Sequence, residues 1–80
     1  MNINFQLGSP VPYFNTTATK GNFYIQYPSG YAYWIIQNPD DRTLKDGTYV
    51  FPESVLNDWL GDDQVLIDHL LLAAPWEVQL

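Results

Sequence analysis

The sequence predicts an α+β domain, a mainly antiparallel sheet of about four or five strands with two C-terminal helices packed on one face. Three observations carry this. Apolar and polar residues alternate from Asn2 to Leu7, two aromatic-rich runs flank Pro28-Ser29-Gly30, and helical apolar stripes begin only after Pro52. Regular βαβ alternation is missing, which favours antiparallel pairing over a parallel sheet.

Taken in order, Ile3, Phe5 and Leu7 share one face of a first strand, which Gly8-Ser9-Pro10-Val11-Pro12 is expected to end. Tyr13 to Gly21, rich in Thr and Asn, reads as a surface loop with room for a short extended piece. Asn22 to Tyr27 and Tyr31 to Gln37 form the clearest local signal, an antiparallel hairpin closed by a type I turn with a bulge. Phe23, Ile25 and Tyr27 lie on one face of its first strand, with Tyr24 and Gln26 on the other; on the second, Tyr31, Tyr33 and Ile35 alternate with Ala32, Trp34 and Ile36. Asn38-Pro39-Asp40-Asp41 is a turn, Arg42 to Lys45 a short strand, Asp46-Gly47 a hairpin dipeptide, and Thr48 to Phe51 its return strand.

Pro52 opens a first helix with the core stripe Val55, Leu56, Trp59 and Leu60, and Gly61 is placed to end it. Asp62 or Asp63 caps a second, mostly buried helix that runs to about Ala74 and stops at Pro75. Trp76 to Leu80 alternates again and is expected to form a last strand beside the first.

Eighty residues hold one hydrophobic core, so positions 1–80 form a single domain. The 46% apolar and 16% aromatic content is far from the composition of disordered chains. With no cysteine, disulfides, thiolate metal sites and cysteine nucleophiles are excluded. The start of the chain lacks a basic segment followed by an apolar run, and the longest apolar run, Leu70 to Ala74, is too short for a bilayer. A cytoplasmic setting without membrane association is expected, the host cytoplasm if a phage encodes the chain.

Charge divides the chain. Lys20 is the only charged side chain from Met1 to Pro39, and Asp40, Asp41, Arg42, Lys45 and Asp46 form a mixed cluster. Thr48 to Leu80 carries Glu53, Asp58, Asp62, Asp63, Asp68 and Glu77 with no Lys or Arg. Most aromatics lie before Pro39. A neutral, Tyr-rich half and an acidic half thus become two faces of one fold.

Little chemistry fits these residues. A lone His69 without cysteine rules out the usual zinc sets, and neither Asp40-Asp41 nor Asn57, Asp58, Asp62 and Asp63 around Gly61 has calcium-loop spacing. His69 and Asp68 are helix neighbours that do not face each other, and Ser54 has no nucleophile-elbow motif. His69 is expected on the thin polar edge of its helix. The glycines are scattered singly, so there is no phosphate loop. Three basic residues against nine acids oppose nucleic-acid binding. No enzyme activity, cofactor or metal is expected.

Binding remains. The foremost reading is a protein-binding inhibitor or adaptor, in the style of small acidic phage or mobile-element proteins that block host enzymes gripping nucleic acid. Tyr24, Tyr27, Tyr31, Tyr33 and Trp34 are its candidate anchors, and Glu53, Asp58, Asp62, Asp63 and Asp68 would meet a basic groove. An assembly subunit, for instance of a virion or homodimer, is the alternative, because a hairpin with large side chains on both faces needs cover. Carbohydrate binding through stacked Tyr and Trp, with Asn15, Thr16, Thr17 and Gln26 as polar contacts, is a third.

Overall fold

Period-two alternation builds the sheet. In a computed structural model describing residues 2–13 and 15–77, the strands are β1 (Asn2–Tyr13), β2 (Thr16–Ile25), β3 (Tyr31–Gln37) and β4 (Thr43–Val50). They pair antiparallel in the order β1-β2-β3-β4. Helices α1 (Glu53–Asn57) and α2 (Asp63–Ala73) follow, then a 3₁₀ turn over Pro75–Glu77. The expected α+β class is what forms, with four strands.

One sheet face is the core. Ile3, Phe23, Trp34 and Gly47 make one cross-strand row, and Phe5, Gly21, Ile36 and Lys45 the next. Leu66 and Leu70 of α2, together with Trp76, close over these rows. Trp76 stacks on Phe5 at 5.7 Å between ring centroids and meets Trp34 edge-on at 5.7 Å. Phe23 links Phe5 (5.9 Å) to Phe51 (5.7 Å). Burying each such ring stabilises by about 1.5–3 kcal/mol before entropy is counted, so this aromatic chain dominates a small core. Lys45, on the core side of β4, extends its stem to the margin and donates from Nζ to the Trp76 carbonyl at 2.9 Å.

Several expectations about the strands fail for one reason: pairing overrides local punctuation. β1 does not end at Gly8 but continues through both prolines to Tyr13, with an irregularity between Gln6 and Val11. As an edge strand it tolerates residues without an N–H. The expected loop Tyr13 to Gly21 is instead largely the first half of β2, where Thr16, Thr17 and Thr19 bring β-branched side chains suited to a strand. Asp46-Gly47 is no turn either, for β4 runs straight through it. Gly47 lies opposite Trp34, whose ring takes the space a side chain would fill.

The β2–β3 connection also differs from a type I turn. Tyr27-Pro28 is cis, Gly30 has φ +78°, and the Gly30 N–H donates to the Gln26 carbonyl at 2.9 Å. The turn at Asn38 does form, with Asp41 at φ 68°.

Helix α1 stops at Asn57, short of the expected stripe, and Gly61 (φ +84°) serves a separate turn in which the Asp62 N–H donates to the Trp59 carbonyl. α2 matches its expected limits. The Asp62 carboxylate accepts from the Gln64 N–H at 3.1 Å, and left-handed Ala74 ends the helix before Pro75. It is not mostly buried: only Leu66 and Leu70 are enclosed, while Leu72 is 86% exposed. A single helix laid on a sheet has a solvent side whatever its composition. Trp76 and Glu77 belong to the 3₁₀ turn rather than a strand, and the remainder of the expected last strand, 78–80, lies outside the described residues.

Candidate binding surfaces on opposite sides of the sheet

Both helices sit over the core face, so among the described residues the opposite face of the sheet is open. Its centre is a cross-strand pair, Tyr24 of β2 directly opposite Tyr33 of β3, with Tyr31 two residues along the same strand and opposite Val50. The three tyrosines are 45–46% exposed and Val50 60%. Half-buried Ile35 continues the row and faces Asn22. Amides and hydroxyls surround this centre: Asn22 Nδ2 donates to Asn4 Oδ1 at 2.8 Å, and Asn2, Gln37 and Thr48 share the face through register.

Charge on this face is sparse, one ion pair and one hydrogen-bonded carboxylate. Lys20 is ion-paired with Asp41 across the sheet end. The Tyr33 hydroxyl donates to Asp46 Oδ2 at 2.7 Å. That bond, helped by desolvation and by the negative charge of Asp46, raises the Tyr33 pKa above the ordinary tyrosine value. Tyr13 is also raised, by burial.

The ten predicted site residues do not form one site. Tyr24, Tyr31 and Tyr33 come together. Trp34, with the opposite parity, is a core residue, 3% exposed and packed on Trp76, and is removed from any interface. Among the described residues its indole N–H has no hydrogen-bond partner. Tyr27 belongs to the turn and stands 73% exposed, its ring edge-on to Trp59 at 6.2 Å.

The acids lie on the helical side. Glu53 is in the first turn of α1, Asp58 follows that helix, and Asp62 caps α2. Asp63 Oδ1 accepts from Trp59 Nε1 at 3.0 Å, and Asp68 Oδ1 accepts from Gln64 Nε2 at 2.7 Å. A broad flat partner cannot touch these carboxylates and the three sheet tyrosines together, because the sheet separates them.

The polar residues considered for carbohydrate also disperse. Asn15 to Thr17 and Gln26 lie at opposite ends of β2, about 30 Å apart along an extended strand. Thr16 Oγ1 is occupied by Asn38 Nδ2 at 3.3 Å. His69 does not sit free at a polar edge: Nε2 is 2.7 Å from the Tyr49 hydroxyl, and its ring packs on Phe51 at 5.7 Å. Among the described residues no three His, Cys, Asp or Glu side chains gather where a metal could be held.

Sequence reasoning missed Trp59 and Leu60 as surface residues, because a continued α1 would have buried both. With the helix ending at Asn57, Leu60 is 92% exposed and Trp59 borders a groove beside Tyr27. Val50 and Ile35 were missed too, although Ile35 has the parity of Tyr31 and Tyr33 and was discoverable from alternation alone. No helix among the described residues is long and apolar enough to cross a membrane. Comparison with protein-family models, with curated proteins and with solved structures finds no match to this chain.

Proposed function

We propose that the chain is a non-enzymatic protein-binding module, an inhibitor or adaptor, that grips a folded protein partner through the open face of its sheet. One observation carries the reading: the helices cover a single face and leave Tyr24, Tyr31 and Tyr33 grouped and half-exposed on the other. Tyrosine offers a large rigid ring and a polar tip at low entropy cost, and neighbouring amides adapt their hydrogen bonds to an uneven surface. Antibody paratopes rely on the same mixture.

The face is close to neutral, so its partner presents an uncharged, hydrogen-bonding surface rather than a basic groove. Four strands of 7 to 12 residues make a face about 20 Å wide and roughly 23–40 Å long, at the low end of what a stable interface buries. Each chain carries a net charge of −6, so two copies also repel. A foreign partner therefore fits better than a second copy. A binding role is also consistent with His69, the sole histidine, being engaged by Tyr49 within the fold.

The test compares three immobilised proteins as capture reagents: the wild type, the triple variant Tyr24→Ser/Tyr31→Ser/Tyr33→Ser, and Glu53→Gln/Asp58→Asn/Asp68→Asn. A partner held by the first and third at 50 and 500 mM salt, and released by the second, supports the reading. Retention by the tyrosine variant, with its circular dichroism unchanged, overturns it. A wild-type dimer in light scattering that the tyrosine variant dissolves would make the face a self-assembly surface. Glycan binding lost with the same variant would make it a carbohydrate platform.

A further inference from the structure

On the helical side a groove of about 360 Å³ is lined by Tyr27, Leu56, Trp59, Leu60, Gly61 and Asp63. Its walls come from the β2–β3 turn on one side and the α1–α2 connection on the other. Tyr27 and Trp59 pack edge to face, with ring centroids 6.2 Å apart at 63°, and Tyr27 is 73% exposed, so the pair forms an aromatic wall with ring surface still open to a ligand. Asp63 Oδ1 fixes the Trp59 indole by accepting its N–H at 3.0 Å, which leaves the second carboxylate oxygen without that duty. The groove is open above Gly61, where even an added Cβ would meet nothing within 4 Å.

Charge around the groove has one sign. Asp58 and Asp62 are exposed on the connection that forms its wall, and Glu53 lies at the start of α1. The positive end of α2 is already engaged by the Asp62 cap. All three basic residues sit at the other end of the sheet. Lys20 is five residues down β2 from Ile25, about 16 Å away; Arg42 and Lys45 flank the far end of β3, where Gln37 pairs with Thr43. These three side chains therefore do not compete for this groove.

We propose that this groove is a docking site for an arginine side chain in a basic segment of a partner protein. Aromatic rings attract a cation through their negative faces, and a guanidinium also stacks flat on them, which a compact ammonium does not. The second Asp63 oxygen, at the groove wall, accepts a guanidinium N–H in a charge-assisted hydrogen bond. Leu56 and Leu60 contact the methylene stem. The assignment is independent of the open sheet face: it uses the opposite side of the molecule, with the opposite salt dependence.

The experiment is a two-dimensional amide NMR titration of the full chain with the capped peptide acetyl-Gly-Arg-Gly-Arg-Gly-amide, beside the same peptide with citrulline in place of arginine. Saturable shifts are expected at Tyr27, the Trp59 indole N–H, Leu60, Gly61 and Asp63, weakening at least threefold between 20 and 200 mM salt. Citrulline should bind at least tenfold more weakly. Tyr27→Ala, at an exposed turn position, should lower affinity about threefold to tenfold. Asp63→Asn keeps an acceptor for Trp59 yet should weaken arginine binding by a similar factor. Equal shifts from the citrulline peptide, shifts centred away from the groove, or unchanged affinity in both variants would each overturn the proposal. Loss of binding in Tyr24→Ser/Tyr31→Ser/Tyr33→Ser, with Tyr27 and Asp63 intact, would overturn it as well.

Discussion

The Trp34 ring fills the place where residue 47 would carry a side chain: a Cβ on Gly47 would lie 2.5 Å from Trp34 Cζ2 and 2.9 Å from Cε2. Strand β4 therefore needs glycine at its midpoint, and the indole is held between that backbone and Trp76.

Gly47→Ala should destabilise the domain by about 1–3 kcal/mol, because Trp34 is 3% exposed and has nowhere to retreat. Urea denaturation followed by tryptophan fluorescence measures the loss. Gly8→Ala, where a Cβ meets nothing within 4 Å, should stay within about 0.5 kcal/mol. Equal effects at the two positions would refute the steric account.

That pair also explains what the sequence could and could not convey. Asp46-Gly47 has the composition of a hairpin turn, and nothing local distinguishes a turn glycine from one that admits a distant indole. The prolines of β1 misled in the same way, since only the tertiary pairing makes it an edge. Where signal and packing agree, as in the Tyr24–Tyr33 hairpin or the Asp62 cap, the residues announced the structure. The open tyrosine face was half-legible: alternation separated Tyr31 and Tyr33 from Trp34, but it could not say which set the helices would cover. The Tyr27–Trp59 groove was not legible, because it depends on α1 ending at Asn57.

The contact between Tyr49 and His69 joins β4 to α2 through a 2.7 Å hydrogen bond and rings 5.7 Å apart. Tyr49→Phe keeps the ring and removes the bond, leaving a half-buried imidazole nitrogen without its partner. A loss of about 1 kcal/mol is expected. A double-mutant cycle with His69→Ala should return a coupling of about 0.5–1.5 kcal/mol, measured by urea titration at pH 7.5. Additive effects would mean that the bond contributes nothing to holding the helix.

Tyr33 should ionise above the ordinary tyrosine value because its hydroxyl donates to Asp46. The fold thus binds this proton more tightly than the unfolded chain does. Its contribution to stability is complete below the ordinary tyrosine value of about 10 and is lost as pH rises through the higher folded value. Ultraviolet titration of phenolate absorbance should resolve a late-ionising group that Asp46→Asn moves to lower pH, leaving Tyr13 late because burial holds it there. An unaltered titration curve in Asp46→Asn would rule out the bond in solution.

Asn38 is 7% exposed and organises the turn between β3 and β4. Its Oδ1 accepts from the N–H groups of Asp40 and Arg42, each at 3.0 Å, while Nδ2 reaches Thr16 Oγ1 at 3.3 Å. Asn38→Ala abandons two backbone donors at once and should cost about 2–3 kcal/mol, with faster amide exchange at Asp40 and Arg42. Thr16→Val leaves both backbone donors satisfied and gives up only the link from Nδ2, so its loss should be less than half as large. Should Thr16→Val prove as damaging as Asn38→Ala, the tie to β2 rather than the turn itself would be what Asn38 supplies.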